Sequence, residues 1–222
     1  MMLNLFSIFD PSTKFLSLNW LSTMIGLVIF PQIYWLMYSR LVLILMKLMN
    51  LLFNEFKMIL NFKFNLNNLI YLLVFFLFFI FNNFMGLFPY LFTSSSHMVF
   101  SLWISLSLWF GFMMFGWFKN MNHMLIHLVP LGTPFGLMFF MVLIELLSNI
   151  IRPMTLCVRL VANMVAGHLL LTLLANFMAK FLMIYFFILI IQMMLLFLEM
   201  IVSLIQSYVF VILLILYLKE TN

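Results

Sequence analysis

The chain has 222 residues, 68% of them hydrophobic and only 7% charged, with a mean hydropathy of +1.28. A surface this apolar excludes a water-soluble enzyme, and long continuous apolar runs without strand-like alternation argue for helices in lipid over a membrane barrel. The formal net charge is +5, and a lone cysteine, Cys157, excludes a disulfide framework and a cysteine metal site.

The opening MMLNLFSIFDPSTK has neither the basic start of a secretory signal nor the Arg/Ser richness of a transit peptide, so no removable leader is expected. Trp20 to Tyr38 predicts a first span of about 19 residues, kinked at Pro31. From Leu41 to Leu60, Lys47, Asn50, Asn54 and Lys57 recur at helical spacing opposite Leu48, Leu51, Leu52, Phe56 and Ile59, which predicts an amphipathic helix on the membrane surface. Leu69 to Tyr90 and Met98 to Phe118 read as two further spans. FTSSSH between them reads as a polar turn, and KNMNH after them as a polar loop.

Beyond Thr133 and Pro134 the runs lengthen. Phe135 to Ala175 is apolar for about 40 residues, roughly 60 Å as a helix, and after a short ANFMAK break Phe181 to Leu218 continues for about 38 residues, roughly 57 Å. The hydrocarbon core is only about 30 Å thick. Either each segment folds as two upright spans, or each is one helix inclined by about 60°. The last segment holds neither Gly nor Pro, and a turn at membrane depth needs breakers and backbone partners, so one inclined helix is predicted there. Pro153 leaves both arrangements open for the preceding segment. The fold class is therefore an all-α polytopic membrane protein of about five membrane helices plus one surface helix, the last two long and steeply inclined. It divides as one membrane domain over 1–222: a first helix within 1–40, the amphipathic helix within 41–66, a two-helix hairpin over 67–132 and a long hairpin over 133–222. Alternate crossings place Arg40, Lys47, Lys57, Lys63, Lys119 and Lys219 on one side and Lys14 and Lys180 on the other, so the first side is cytoplasm-like or matrix-like.

Inside these runs lie polar residues that lipid penalises. Glu145, Arg152 and Arg159 are spaced by sevens and line one helical stripe, with Asn163 one turn further. His168 falls about 180° around from Arg159 and about 13 Å along. Gln192, Glu199 and Gln206 repeat the seven-residue spacing on the last helix, with Ser203 one turn from Glu199. Some of these, Asn163, Gln192 and Ser203 among them, have an alternative role as interhelical hydrogen-bonding groups worth about 0.6–2 kcal/mol each, and Arg152 has a structural partner in Glu145 two turns away. Arg159 is harder to accommodate: an Arg at membrane depth costs about 2.5–3.5 kcal/mol on insertion scales and stays protonated. Glu145 is about 21 Å away along the helix. The required anion belongs to another chain or, alternatively, is Glu199. A fixed cation beside groups that gain and lose protons, Glu199 and His168, is what a proton path requires.

RPMTLCVRLVANMVAGHLLLTLL, preceded by HLVPLGTP and followed by IQSYVFVILLILY, resembles the subunit a family of mitochondrial F-type ATP synthases. NNFMGLFPYLFTSSSH and the opening FDPS and NWLS extend the likeness nearly end to end, and Leu131 departs from it, standing where a polar residue is common. The resemblance implies that Arg159 is the essential arginine facing a rotor ring of c subunits, with Asn163 beside it and Gln206 near it. It implies that His168 and Glu199 line a half-channel open to the intermembrane space, and that Glu145 and the C-terminal acid Glu220 line one open to the matrix. Implied partners are the c ring, other stator subunits of the membrane sector and lipid, without nucleic acid or nucleotide. The implied location is the mitochondrial inner membrane, crossed several times, with the C-terminus on the matrix side. No cofactor, metal or catalytic site is implied in this chain; no phosphate loop occurs in it. The pairs Arg159 with Gln206, His168 with Glu199, and Glu145 with Glu220 share a nearly constant sum of residue numbers, as in an antiparallel hairpin centred at about residue 183, later than ANFMAK. The rival readings are a self-contained proton or ion transporter, against which no internal repeat is visible, and a purely structural subunit, which leaves Arg159 and Glu199 unexplained.

Overall fold

The structure, a computed structural model, describes residues 5–13, 16–31, 37–60, 66–88, 90–129, 134–180 and 185–221. Among them run seven α-helices and no strand: α1 (Ser22–Ile29), α2 (Arg40–Ile59), α3 (Leu66–Gly86), α4 (Met98–Lys119), α5 (Met121–Leu128), α6 (Met138–Lys180) and α7 (Tyr185–Glu220). By length and apolar composition α3, α4, α6 and α7 are able to cross a bilayer.

The first predicted span is shorter than expected. A 3₁₀ turn, Leu18–Leu21, leads into α1, and Phe30 then turns extended at φ −61° and ψ 123°. The cause is Pro31, whose ring disfavours helical geometry in the residue before it, so the proline ends this helix where a kink was expected. Residues 32–36 of that prediction lie outside the described residues, as do Lys14, Lys63 and Leu131. α1 is anchored by Ser22 Oγ, which donates to the Phe92 carbonyl at 3.0 Å, and by Trp20, packed on the Phe92 and His97 rings.

The amphipathic segment forms α2, opened by Ser39, whose Oγ accepts from the Val42 N–H at 3.5 Å. Its apolar face packs on α3 and α7 and buries Phe56 completely. FTSSSH forms a 3₁₀ turn, Ser94–Ser96, but sits against α6 with Thr93 and all three serines buried. Local bonds satisfy part of it: Thr93 and Ser96 hydroxyls lie 2.9 Å apart and Ser96 Oγ donates to the Thr93 carbonyl at 2.7 Å, while the buried Ser95 hydroxyl has no partner among the described residues. KNMNH is not a loop. Only Asn120 leaves helical geometry, and with no Gly or Pro following, α5 restarts at once.

α6 resolves the arrangement left open by Pro153. It is one helix of 43 residues, about 64 Å, carried through Pro153 and through ANFMAK to Lys180. The proline removes one N–H, yet a break would strand several backbone groups away from water, which costs more. Hydroxyls of Ser148 and Thr155 bond to the carbonyls of Glu145 and Arg152 on either side of it. ANFMAK contains no breaker, so the expected interruption is absent, and the connection to α7 falls at residues 181–184, outside the described residues. α7 is a single helix of 36 residues, about 54 Å.

The core sits around the C-terminal half of α7. Phe210, Val211, Leu214, Ile215 and Leu218 are enclosed by Leu69, Leu72, Phe76 and Phe79 of α3, Phe56 of α2 and Leu156 and Leu160 of α6. α4 meets α6 through small residues, with Ser101 Oγ 2.9 Å from Cys157 Sγ and Ser105 buried nearby, as suits helices in lipid. The Phe79 and Phe210 rings lie 4.5 Å apart between centroids, both almost fully buried. Phe210→Ala should therefore leave a cavity between α3 and α7 and cost roughly 3 kcal/mol, read as an earlier midpoint in a graded detergent denaturation of the purified chain.

Candidate functional site

Polar side chains of α6 and α7 gather into two cavities that share no lining residue, with Arg159 in neither. The first cavity, of about 190 Å³, is lined by Glu145, Asn149 and Arg152 of α6 and by Tyr217, Glu220 and Thr221 at the end of α7, with His127 of α5 and two tryptophans of α4, Trp109 and Trp117. Arg152 Nη1 lies 2.7 Å from Glu220 Oε2, and its guanidinium stands over the Tyr217 ring at 5.5 Å. The expected structural pairing of Arg152 with Glu145 is thus replaced by a cross-helix pair. The reason is geometric: two turns separate Arg152 and Glu145 along their helix by about 10 Å, whereas the antiparallel α7 delivers Glu220 directly opposite. Both members remain partly exposed, so the bond orients more than it stabilises.

The second cavity, about 310 Å³, is lined by Asn163, Met164 and Gly167 of α6, Glu199, Ser203 and Gln206 of α7, and Asn83 of α3. Glu199 is 8% exposed, and neither carboxyl oxygen has a hydrogen-bond partner in the protein; both polar atoms of the Asn83 amide are in the same condition. Buried polar atoms are costly unless satisfied, and a space of this size with several polar groups in its otherwise apolar wall has room for bridging water. Ser203, by contrast, is satisfied within its own helix, its Oγ donating to the Met200 carbonyl at 2.7 Å.

The close approach of α6 and α7 here depends on Gly167. A Cβ at that position would lie 2.8 Å from Glu199 Oε1 and 2.9 Å from its Cδ. His168, the next residue, is half-buried and meets other elements: its ring stands edge-on to Phe9 with centroids 6.1 Å apart, and it interacts with the Gly86 backbone. The chain thus brings Glu145 together with Glu220, and Asn163 with Glu199 and Gln206, while His168 abuts the second group through Gly167. Gln192 lines neither cavity.

Arg159 lies on α6 between the two linings, exposed, and among the described residues it has no ion pair and no hydrogen bond. Glu199 does not pair with it. On the same two helices Met154, Val158, Ile201 and Ile205 are exposed as well. Three contributors were missed from sequence: Asn83, Tyr217 and His127. Asn83 left a signal, since Asn82–Asn83 is a polar pair inside an otherwise apolar run. Tyr217 and His127 left none, because their placement depends on how α5 and the end of α7 dock.

The chain matches the family described as ATP synthase A chain over residues 16–219. It is 54% identical over 141 residues to ATP synthase subunit a of Locusta migratoria, 52% over 139 residues to that of Drosophila mauritiana, and 51% over 140 residues to that of Aedes aegypti. Each match covers 62% of this chain and 62% of the relative, so the chain is matched to under two thirds of those proteins' length.

The Gly167 contact is directly testable. Gly167→Ala displaces only the end of a flexible carboxyl side chain and should leave stability within about 1 kcal/mol, whereas Gly167→Leu overpacks the helix pair and should cost about 1–3 kcal/mol. Graded detergent denaturation of the two purified variants against the parent chain measures the difference.

Proposed function

We propose that this chain, which belongs to the ATP synthase A chain family, is the stator proton channel of an F-type ATP synthase in the mitochondrial inner membrane. Protons from the intermembrane space pass His168 and Glu199 and neutralise a carboxylate on the ring of c subunits. They travel with the ring and leave past Glu145 and Glu220 to the matrix, the side on which the C-terminus lies. Arg159 separates the two half-channels, with Asn163 and Gln206 beside it. Its fixed charge repels a leaking proton and favours the ionised form of each carboxylate that arrives. Each proton crossing is driven by about 2.3 kcal/mol per 100 mV. Besides the ring, the partners are other stator subunits and lipid; no nucleotide or nucleic acid is bound, and ATP chemistry belongs to other subunits.

One observation carries this reading: an arginine exposed in the middle of an apolar helix, without an anion among the described residues of its own chain, flanked by two separate cavities into which acidic and amide side chains project. A self-contained transporter would bury such a cation against its own substrate site. Exposure on an apolar outer face suits an anion on a neighbouring subunit, and two separate cavities suit proton paths that stop short of each other.

The lengths of α6 and α7, about 64 Å and 54 Å against about 30 Å of hydrocarbon, imply a steep inclination for both. An inclined helix also tracks the curved surface of a ring, holding Glu199 near one membrane face and Glu220 near the other.

Arg159→Gln should abolish proton-driven ATP synthesis while the complex still assembles, and Arg159→Lys should do nearly the same, since an ammonium lacks the guanidinium's reach and fork. Synthesis near the parent rate in either variant defeats the assignment. Cryo-electron density of the complex should show α7 unbroken and inclined by more than about 40°, the upper end of ordinary tilts; a smaller angle defeats the inclined-hairpin reading.

A further inference from the structure

The helix α5 carries two histidines that the proton path above does not use. His123 and His127 are one turn apart on the same face, both exposed, with ring centroids 4.6 Å apart and planes at 62°. Neither imidazole has a hydrogen-bond or ion-pair partner among the described residues. Two imidazoles at this spacing, with their nitrogens free, are a chelating pair: zinc–nitrogen bonds of about 2.0–2.1 Å let one ion bridge rings at this separation with only side-chain rotation. Imidazole is also the ligand that suits zinc, nickel and copper, while magnesium and calcium prefer oxygen.

The position gives the pair a consequence. His127 lines the cavity that contains Glu145, Arg152 and Glu220, so an ion held by α5 stands at that cavity's rim. No third His, Cys, Asp or Glu joins the two among the described residues. Water completes the coordination, which makes an exchangeable site rather than a closed structural one.

We propose that His123 and His127 form a two-imidazole binding site for a divalent transition ion of the zinc, nickel and copper class, at the rim of the cavity holding Glu145 and Glu220. The bound dication hinders proton passage there in either direction, by occupying the rim and by repelling protons that approach or emerge; this consequence, unlike the site itself, rests on the cavity being the matrix-side half-channel.

The test has two arms. In the first, the assembled complex in detergent is dialysed against Cu²⁺, Zn²⁺ or Mg²⁺ and bound metal is counted by mass spectrometry, for the parent and for His123→Gln and His127→Gln. One Zn²⁺ per complex should be lost in each variant, Cu²⁺ should bind the parent more tightly than Zn²⁺, and Mg²⁺ should not compete. Unchanged zinc stoichiometry in both variants, at equal complex abundance, overturns the site. In the second arm, inside-out inner-membrane vesicles, whose outer surface is the matrix face, pump protons at the expense of ATP with and without added Zn²⁺. Zinc should slow the parent and spare His123→Gln. Binding that the variants abolish, together with pumping that zinc leaves untouched, upholds the site and overturns the assignment of this cavity to the proton path.

Discussion

Inside hydrocarbon no water is present to satisfy a broken backbone, so a chain that enters it must keep its hydrogen bonds within its own helices. α6 and α7 obey this constraint over 43 and 36 residues, even across Pro153. Because neither breaks, both exceed the thickness of the bilayer, and their polar residues are spread along a lengthwise interface instead of being confined to loops. The two cavities and the arginine between them are arranged along that interface.

The register of α6 against α7 decides which groups meet. Gly167 leaves room for it locally, since a Cβ there would stand 2.8 Å from Glu199 Oε1. A larger residue would separate the helices at the point where Asn163, Glu199 and Gln206 share a cavity. The same antiparallel register carries Glu220 to Arg152, leaving Glu145 in the same cavity without that cation as its partner. Helix packing around the end of α7, through Phe79 and Phe210 and the buried Phe56, covers one side of this hairpin, while apolar residues on the other side are exposed.

That exposed side is an apolar surface with a cation in it. In lipid alone such an arrangement carries an uncompensated cost of about 2.5–3.5 kcal/mol for the arginine. On the proposed reading a second chain supplies the anion that removes this cost, at the exposed face of α6. Arg152, lying only seven residues earlier, has its anion within the chain and so carries no such demand. Two arginines on one stripe are thereby distinguished by their partners.

Much was legible without coordinates. The apolar runs at α3, α4, α6 and α7, the amphipathic pattern of α2, and the seven-residue spacing of Glu145, Arg152 and Arg159 are local properties, and hydropathy and helical periodicity express them directly. The demand of Arg159 for a partner was legible too, because the cost of a charge in lipid does not depend on the fold. What only the tertiary structure decided was which distant faces meet: Arg152 with Glu220, Asn83 beside the cavity of Glu199, the buried serines at α6, and the end of α1 at Pro31. An apolar face gains nearly as much from lipid tails as from another helix, so hydrophobicity alone does not specify which faces pair. Close packing at small residues such as Gly167, and the few polar groups that need partners, make that choice, and both act only once the helices are side by side.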